Sequence, residues 1–251
     1  MAERNKELKN SFKLILTILF VYVVLFEFIL PVNKFLPKPS ILFESIFYII
    51  NDYNLFISIS VSFTIVIVAF VVAYIGVYVR APYLLRWLTR YKESFTTLNV
   101  FRYFLIIVVV ILIKQWFEET LFWEFFFATL FVFILSLKKL FDKIENVKDE
   151  YVVVGKNLGL TDMEISEDIH WKYLQPVLIG YYEKLNISLW SIILVFEFIG
   201  DTNGLGHAFH KALVYKDLNA IILFSFILFV LVWVTTFIIK VIKRKYFNWA
   251  D

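Results

Sequence analysis

Residues 55–79 contain no charged side chain, and this run constrains the fold more than any other feature of the chain. A helix needs about 20 mainly apolar residues to cross the hydrocarbon core of a bilayer. The run meets that length, and its neighbours repeat the pattern. Apolar stretches at 13–31, 120–137 and 219–241, and at 187–200 extended back toward Tyr181, read as further spans. A sixth candidate, 101–117, is shorter, because its charge-free core from Tyr103 to Ile113 rises only about 16 Å as a helix. It spans if Arg102 and Lys114 reach toward the interface and Trp116 sits at headgroup level.

Composition agrees with the pattern. The chain is 61% hydrophobic with a mean hydropathy of +0.76, more apolar surface than a soluble domain of 251 residues can hide. The expected fold class is therefore an all-α integral membrane protein with about six transmembrane helices. Lacking cysteine, the chain forms no disulfide and has no thiol nucleophile or thiolate metal ligand. A net charge of +3 gives no reason to expect nucleic-acid binding. The expected division is a short N-terminal segment, 1–12, followed by one transmembrane domain, 13–251. No small-residue cleavage site follows Leu14–Leu30, so that run reads as an anchor.

Lys and Arg set the expected orientation. They gather before span one, between spans two and three (Arg80, Arg86, Arg90, Lys92), between spans four and five, and after span six (Lys240, Lys243, Arg244, Lys245). The intervening loops hold fewer. Both termini, and the segment 138–185, are therefore expected in the cytoplasm.

That segment is too long for a turn and too polar for a span. Lys139 to Leu158 reads as one helix leaving the membrane, with Leu140, Ile144, Val147 and Tyr151 at helical spacing. Gly159 is placed to end it in the left-handed conformation. Thr161-Asp162-Met163-Glu164 fits a capping box that starts a second helix, and Pro176 is expected to break or kink the chain before span five. By spacing alone the pair reads either as a docking knob or as a surface helical hairpin with a solvated charged face.

Beyond Pro176 an apolar helix carries one acid, Glu197, followed by Gly200, Gly204 and Gly206. An intramembrane carboxylate is costly and marks a functional hypothesis. The competing reading places it near a span end, solvated or hydrogen-bonded to a neighbouring helix. The glycines are expected to shape an external turn, supplying positive φ. Ser188 and Ser191, three apart in span five, share a face that either lines a pathway or packs helices. Ser58, Ser60, Ser62 and Thr64 alternate with period two, so they form no single helical face. Glu27 and Glu124 are expected near span ends. His207 and His210 have ligand-like spacing but no evident third ligand, so no metal site is expected.

With these residues in view, the chain resembles permease subunits of binding-protein-dependent ABC importers of the nitrate/sulfonate/taurine type. Leu158-Gly159 matches that family's cytoplasmic Leu-Gly pair. Pro176, Trp190, Glu197, Ile199, Gly200, Gly204, Leu205 and Gly206 fall in register with it without a gap. Leu36-Pro37-Lys38-Pro39-Ser40, Trp116-Phe117 and the basic end Lys243–Lys245 followed by Trp249 extend the similarity over about residues 36–249. Val153, Val154 and Gly155 replace the family's Glu-Ala-Ala, Lys172 replaces the first Leu-Pro proline, and Ile65 stands where an arginine is common.

The resemblance implies a type I ABC importer transmembrane fold in a bacterial or archaeal plasma membrane. It implies coupling to a cytoplasmic ATPase through Leu158, Gly159, Leu160, Thr161, Asp162 and Glu164, and a translocation pathway whose external mouth involves Glu197, Gly200, Gly204, Gly206, Ser188 and Ser191. The implied partners are ABC ATPase subunits, a second permease copy or paralogue, and an extracytoplasmic substrate-binding protein, with a small anion or vitamin precursor as solute. The chain has no Gly-x-x-x-x-Gly-Lys-Ser/Thr loop, so ATP and Mg are expected in the partner and no catalysis in this chain. The departures leave open a membrane scaffold that has lost transport, or the degenerate half of a heterodimeric permease. A secondary transporter needs more embedded polar groups or a broken-helix repeat.

Overall fold

The computed structural model describes residues 38–90, 106–117, 120–144, 146–200 and 202–247, together with parts of 17–29. Among these residues every regular element is helical. After a wide π turn at Val24–Ile29 come α1 (Pro39–Asp52), α2 (Leu55–Arg90), α3 (Ile106–Trp116), α4 (Leu121–Ile144) and α5 (Asp149–Asn157). There follow a single capped turn, Asp162–Glu164, a second π turn, Ile165–Trp171, α6 (Lys172–Ile199), α7 (Leu205–Val214) and α8 (Leu218–Tyr246).

Three helical stretches are long and apolar enough to cross a membrane: Leu55–Trp87, Leu121–Ile144 and Leu218–Tyr246. This is a membrane protein by that measure. The expected spans differ from it in instructive ways. Most of 13–31 lies outside the described residues, as do 1–12 and the first part of 101–117. The described part of the 101–117 candidate is the 11-residue α3. Helix α6 is 28 residues long but carries Glu183, Lys184 and Glu197, so it falls short on apolarity and not on length.

Helix α6 is nevertheless the centre of the bundle. Leu174, Leu178, Tyr182, Leu185, Leu189, Trp190, Ile193 and Phe196 recur every three or four residues and are buried, which is the stripe of a core helix. Helices α2, α4 and α8 pack around it. Helix α2 carries Ala69, Ala73, Val77 and Ala81, all essentially buried, and its Gly76 lies against Phe133 of α4. Small side chains at every fourth position let two backbones approach closely where lipid supplies no hydrophobic drive. Between α6 and α8, Asn186 Nδ2 donates to Thr235 Oγ1 at 2.8 Å and Thr236 Oγ1 at 2.9 Å, and Trp190 Nε1 donates to Thr235 Oγ1 at 3.1 Å.

These pairings fix the helix directions and give the bundle two distinct ends. At one end Tyr78 meets Trp171, Lys139 Nζ lies 5.2 Å from the Tyr181 ring centroid, and α8 finishes on Lys243, Arg244 and Lys245. The basic residues there sit at helix C-termini, where the backbone dipole favours cations. At the other end Tyr53 donates to Asp217 at 3.2 Å, while Asp217 caps α8 by accepting from Ala220 N at 3.1 Å.

Three local expectations are corrected. The helix through Leu158 is interrupted: α4 stops at Ile144, and Lys148 in an extended conformation starts α5. Across the break the helical register is lost, so Val147 is buried while Tyr151 is 53% exposed. Second, of the break or kink expected at Pro176, the break does not occur. The proline is buried within α6, and the wide π turn just before it has already loosened the regular pattern that a proline ring disturbs. Third, α2 runs past Val79 to Arg90, with Pro82 inside it.

Candidate functional site

Leu158 to Glu164, the residues expected to couple to an ATPase, form a corner at the basic end. Helix α5 closes on Leu158, whose N–H donates to Val154 O at 3.0 Å. Gly159 takes φ +80, and Leu160 N–H returns to Gly155 O at 3.1 Å. The positive φ and the open space around Gly159 show why glycine ends the helix here. Gly155 serves a different need. A Cβ there would sit 2.8 Å from Ile169 Cδ1, so the missing side chain lets α5 lie on the following segment.

Thr161 then caps the next turn as expected. Glu164 N–H donates to Thr161 Oγ1 at 3.4 Å, and Thr161 N–H donates to Glu164 Oε2 at 2.7 Å. The Thr161 amide and hydroxyl hold the Glu164 carboxyl below its usual range. A depressed carboxyl stabilises the fold above the unfolded pKa, and that contribution disappears as pH falls through the folded value. Amide exchange around Thr161–Ile165, corrected for intrinsic rates, is therefore expected to lose protection as pH falls below about 4.3. In Glu164→Gln, exchange there is expected to lose this pH dependence.

The corner presents Leu158, 76% exposed, with Val153 and Val154 exposed beside it. Asp162, Glu164, Glu167 and Asp168 are exposed on the next turns, and Lys172 pairs with Asp168 at 2.6 Å.

The opposite end holds a buried polar cluster. Glu197 is fully buried, which excludes the solvated reading and leaves the hydrogen-bonded one. Its Oε1 accepts from Ser62 Oγ at 2.6 Å, and its Oε2 accepts from Gly206 N–H at 2.7 Å. Ser62 Oγ also accepts from Leu205 N–H at 2.8 Å. A carboxylate on α6 and a hydroxyl on α2 thus satisfy the first free amides of α7, as a capping side chain does from nearby in sequence.

The glycines here do not use positive φ. Gly200 has φ −103 and Gly204 φ −99, ordinary extended values. Close approach is the reason they are glycine. A Cβ on Gly204 would enter the Glu197 carboxyl, one on Gly206 would meet Leu194 O and Glu197 Cβ, and one on Gly200 would meet Lys114 Nζ. The turn is packed directly on the acid. The helix that follows continues past His210 to Val214.

Glu124, expected near a span end, is 1% exposed and lies against Glu197. Lys114 Nζ is 4.2 Å from the Phe196 ring centroid and is close enough to interact electrostatically with both acids. Thr202, 6% exposed, completes the cluster. Glu124, Lys114 and Thr202 come from three different parts of the sequence, so no local motif announces them. Ser62 was hidden in the alternating run, which splits into buried Ser58 and Ser62 and exposed Ser60 and Thr64.

Ser188 and Ser191 do share a face, but it is exposed and turned away from Glu197. The cluster and the two serines are not one site. His207 Nδ1 lies 3.2 Å from Gly200 O, and His210 stacks on Phe198 with centroids 5.1 Å apart. Among the described residues no group of three metal-ligating side chains occurs. No family model, curated protein or solved structure matches this chain.

Proposed function

We propose that the chain is the permease subunit of an ATP-driven, binding-protein-dependent importer of a small solute. In this reading six spans place both termini in the cytoplasm, in a bacterial or archaeal inner membrane. The observation that carries it is the Gly159 corner, which projects the exposed Leu158 from the basic end of an apolar bundle. An apolar side chain that far out of the core gains nothing in the isolated subunit and is the kind of anchor a partner's groove buries. ATP and Mg bind the partner ATPase, which this reading places over Leu158–Glu164. A second permease copy or paralogue completes the pathway, with exposed Ser188 and Ser191 as candidate lining, and a binding protein delivers solute near the Gly200–Gly206 turn.

The test is purification of the tagged chain from its native membranes. The complex is expected to hydrolyse ATP, and Leu158→Glu is expected to weaken ATPase retention by about tenfold or more. Leu158 is exposed, so the variant leaves the fold intact. A complex without ATPase activity sinks the permease reading, and unchanged retention in Leu158→Glu sinks the docking assignment.

The runner-up is a scaffold that keeps this fold without transport, or the degenerate half of a heterodimeric permease. Gly155 packed on Ile169 and Lys172 paired with Asp168 favour it, because both departures from the family pattern serve local structure here. Uptake by vesicles carrying the full complex discards the scaffold.

A further inference from the structure

We propose that Glu124 and Glu197 together bind one exchangeable proton, and that this proton fastens the Gly200–Gly206 turn to the bundle. The geometry argues for it in two ways. The first is charge. Two carboxyls in contact and one ammonium, that of Lys114, leave a net negative charge in a site closed to water. Like charges in contact repel strongly where the local dielectric is low, and one proton shared between the acids makes the cluster neutral.

The second is hydrogen bonding. Glu197 spends one oxygen on Ser62 and the other on the Gly206 amide. Among the described residues, neither Glu124 oxygen receives a hydrogen bond from an amide or hydroxyl. The buried Thr202 hydroxyl beside it is also unpartnered. Buried carboxyl oxygens are rarely left so, and one proton held between Glu124 and Glu197 gives the pair an O–H of its own.

Among the described residues the surrounding elements add few other charges. Helix α2 has none over 55–79, α3 brings Lys114, and α7 brings the exposed Lys211 with the imidazoles of His207 and His210. Those imidazoles are held by Gly200 O and by the Phe198 ring. The proton is taken from water at the turn and returned there, with no bond made or broken besides its own O–H. Once it leaves, the cluster carries an uncompensated negative charge beneath the turn, and the turn's hold on Glu197 weakens. The inference is independent of the permease reading, because it requires no ATPase and no solute.

Infrared spectroscopy of the full chain in lipid nanodiscs tests it. At neutral pH a protonated-carboxyl band is expected, shifted by isotope-labelled glutamate and lost as pH is raised. It is expected to vanish in Glu124→Gln and in Glu197→Gln, and to persist in Glu27→Gln and in His207→Gln. Either acid variant suffices if the other does not fold, and the wild-type band stands without them. Absence of a protonated-glutamate band at neutral pH overturns the proposal. So does a band that folded Glu124→Gln or Glu197→Gln leaves unchanged.

Discussion

Gly206→Ala is expected to lower folding stability by roughly 2–5 kcal/mol, more than alanine at any other described glycine of comparable exposure. The added Cβ would strike Leu194 O and lie 2.9 Å from Phe198 N and 2.8 Å from Glu197 Cβ. Two of these atoms are helix backbone and cannot rotate away. The start of α7 must move outward instead, and it takes with it the Gly206 amide bound to Glu197 and the Leu205 amide bound to Ser62. Overpacking and lost buried hydrogen bonds therefore arrive together. Two other glycines separate the causes. Gly159→Ala meets no neighbour but keeps φ +80, so it is expected to lose only the roughly 1–2 kcal/mol of left-handed strain. Gly76→Ala lies in a helix with its nearest contact at 3.6 Å, and is expected to be neutral or slightly stabilising. Denaturant titration in detergent ranks the three. A Gly206→Ala loss no larger than that of Gly159→Ala would show that the turn is not packed as described.

The same turn shows what a sequence can and cannot reveal. Gly204 and Gly206 stood out as glycines in a turn, but local rules offered only positive φ as their reason. The real reason is the preceding helix, whose Glu197 carboxyl is pressed against Gly204 and whose backbone at Leu194 and Phe198 is pressed against Gly206. The capping box at Thr161–Glu164 and the left-handed Gly159 were legible because their partners lie within a few residues. The apolar periods of α2, α4 and α8 were legible for the same reason. Glu124, Lys114 and Thr202 were not, because only the packing of α3, α4 and α6 brings them together. Ser62 was passed over because a period-two run forms no helical face as a whole, although its alternate members do form two. The break after Ile144 also escaped notice, since Leu140, Ile144, Val147 and Tyr151 keep helical spacing across it. Pro176 misled in the opposite direction. A proline normally marks a boundary, and here it lies inside α6, five residues after a π turn.

Glu197→Leu is expected to cost about 3–5 kcal/mol of stability, the second large effect. Leucine fills a similar volume, so cavity formation is a minor part. The cost comes from what the carboxylate leaves behind. Gly206 N–H loses its acceptor, Ser62 Oγ–H keeps only Ser58 O at 3.1 Å, and the buried Glu124 and Lys114 lose the polar group they pack against. Removing one partner of a buried charged group is far worse than never having built it. Glu197→Gln is expected to cost less, about 1–3 kcal/mol, because its single oxygen can serve only one of the two donors while its amide faces the other. Ser62→Ala removes one donor to Glu197 and one acceptor from Leu205 N–H. Combined with Glu197→Leu, it is expected to add little further loss, since both changes break the same capping of α7. Denaturant titration of the two single variants and the double variant gives the coupling energy directly. Strict additivity would mean that Ser62 and Glu197 act separately, and that the end of the bundle is held by packing of Leu205, Ala208 and Ala212 alone.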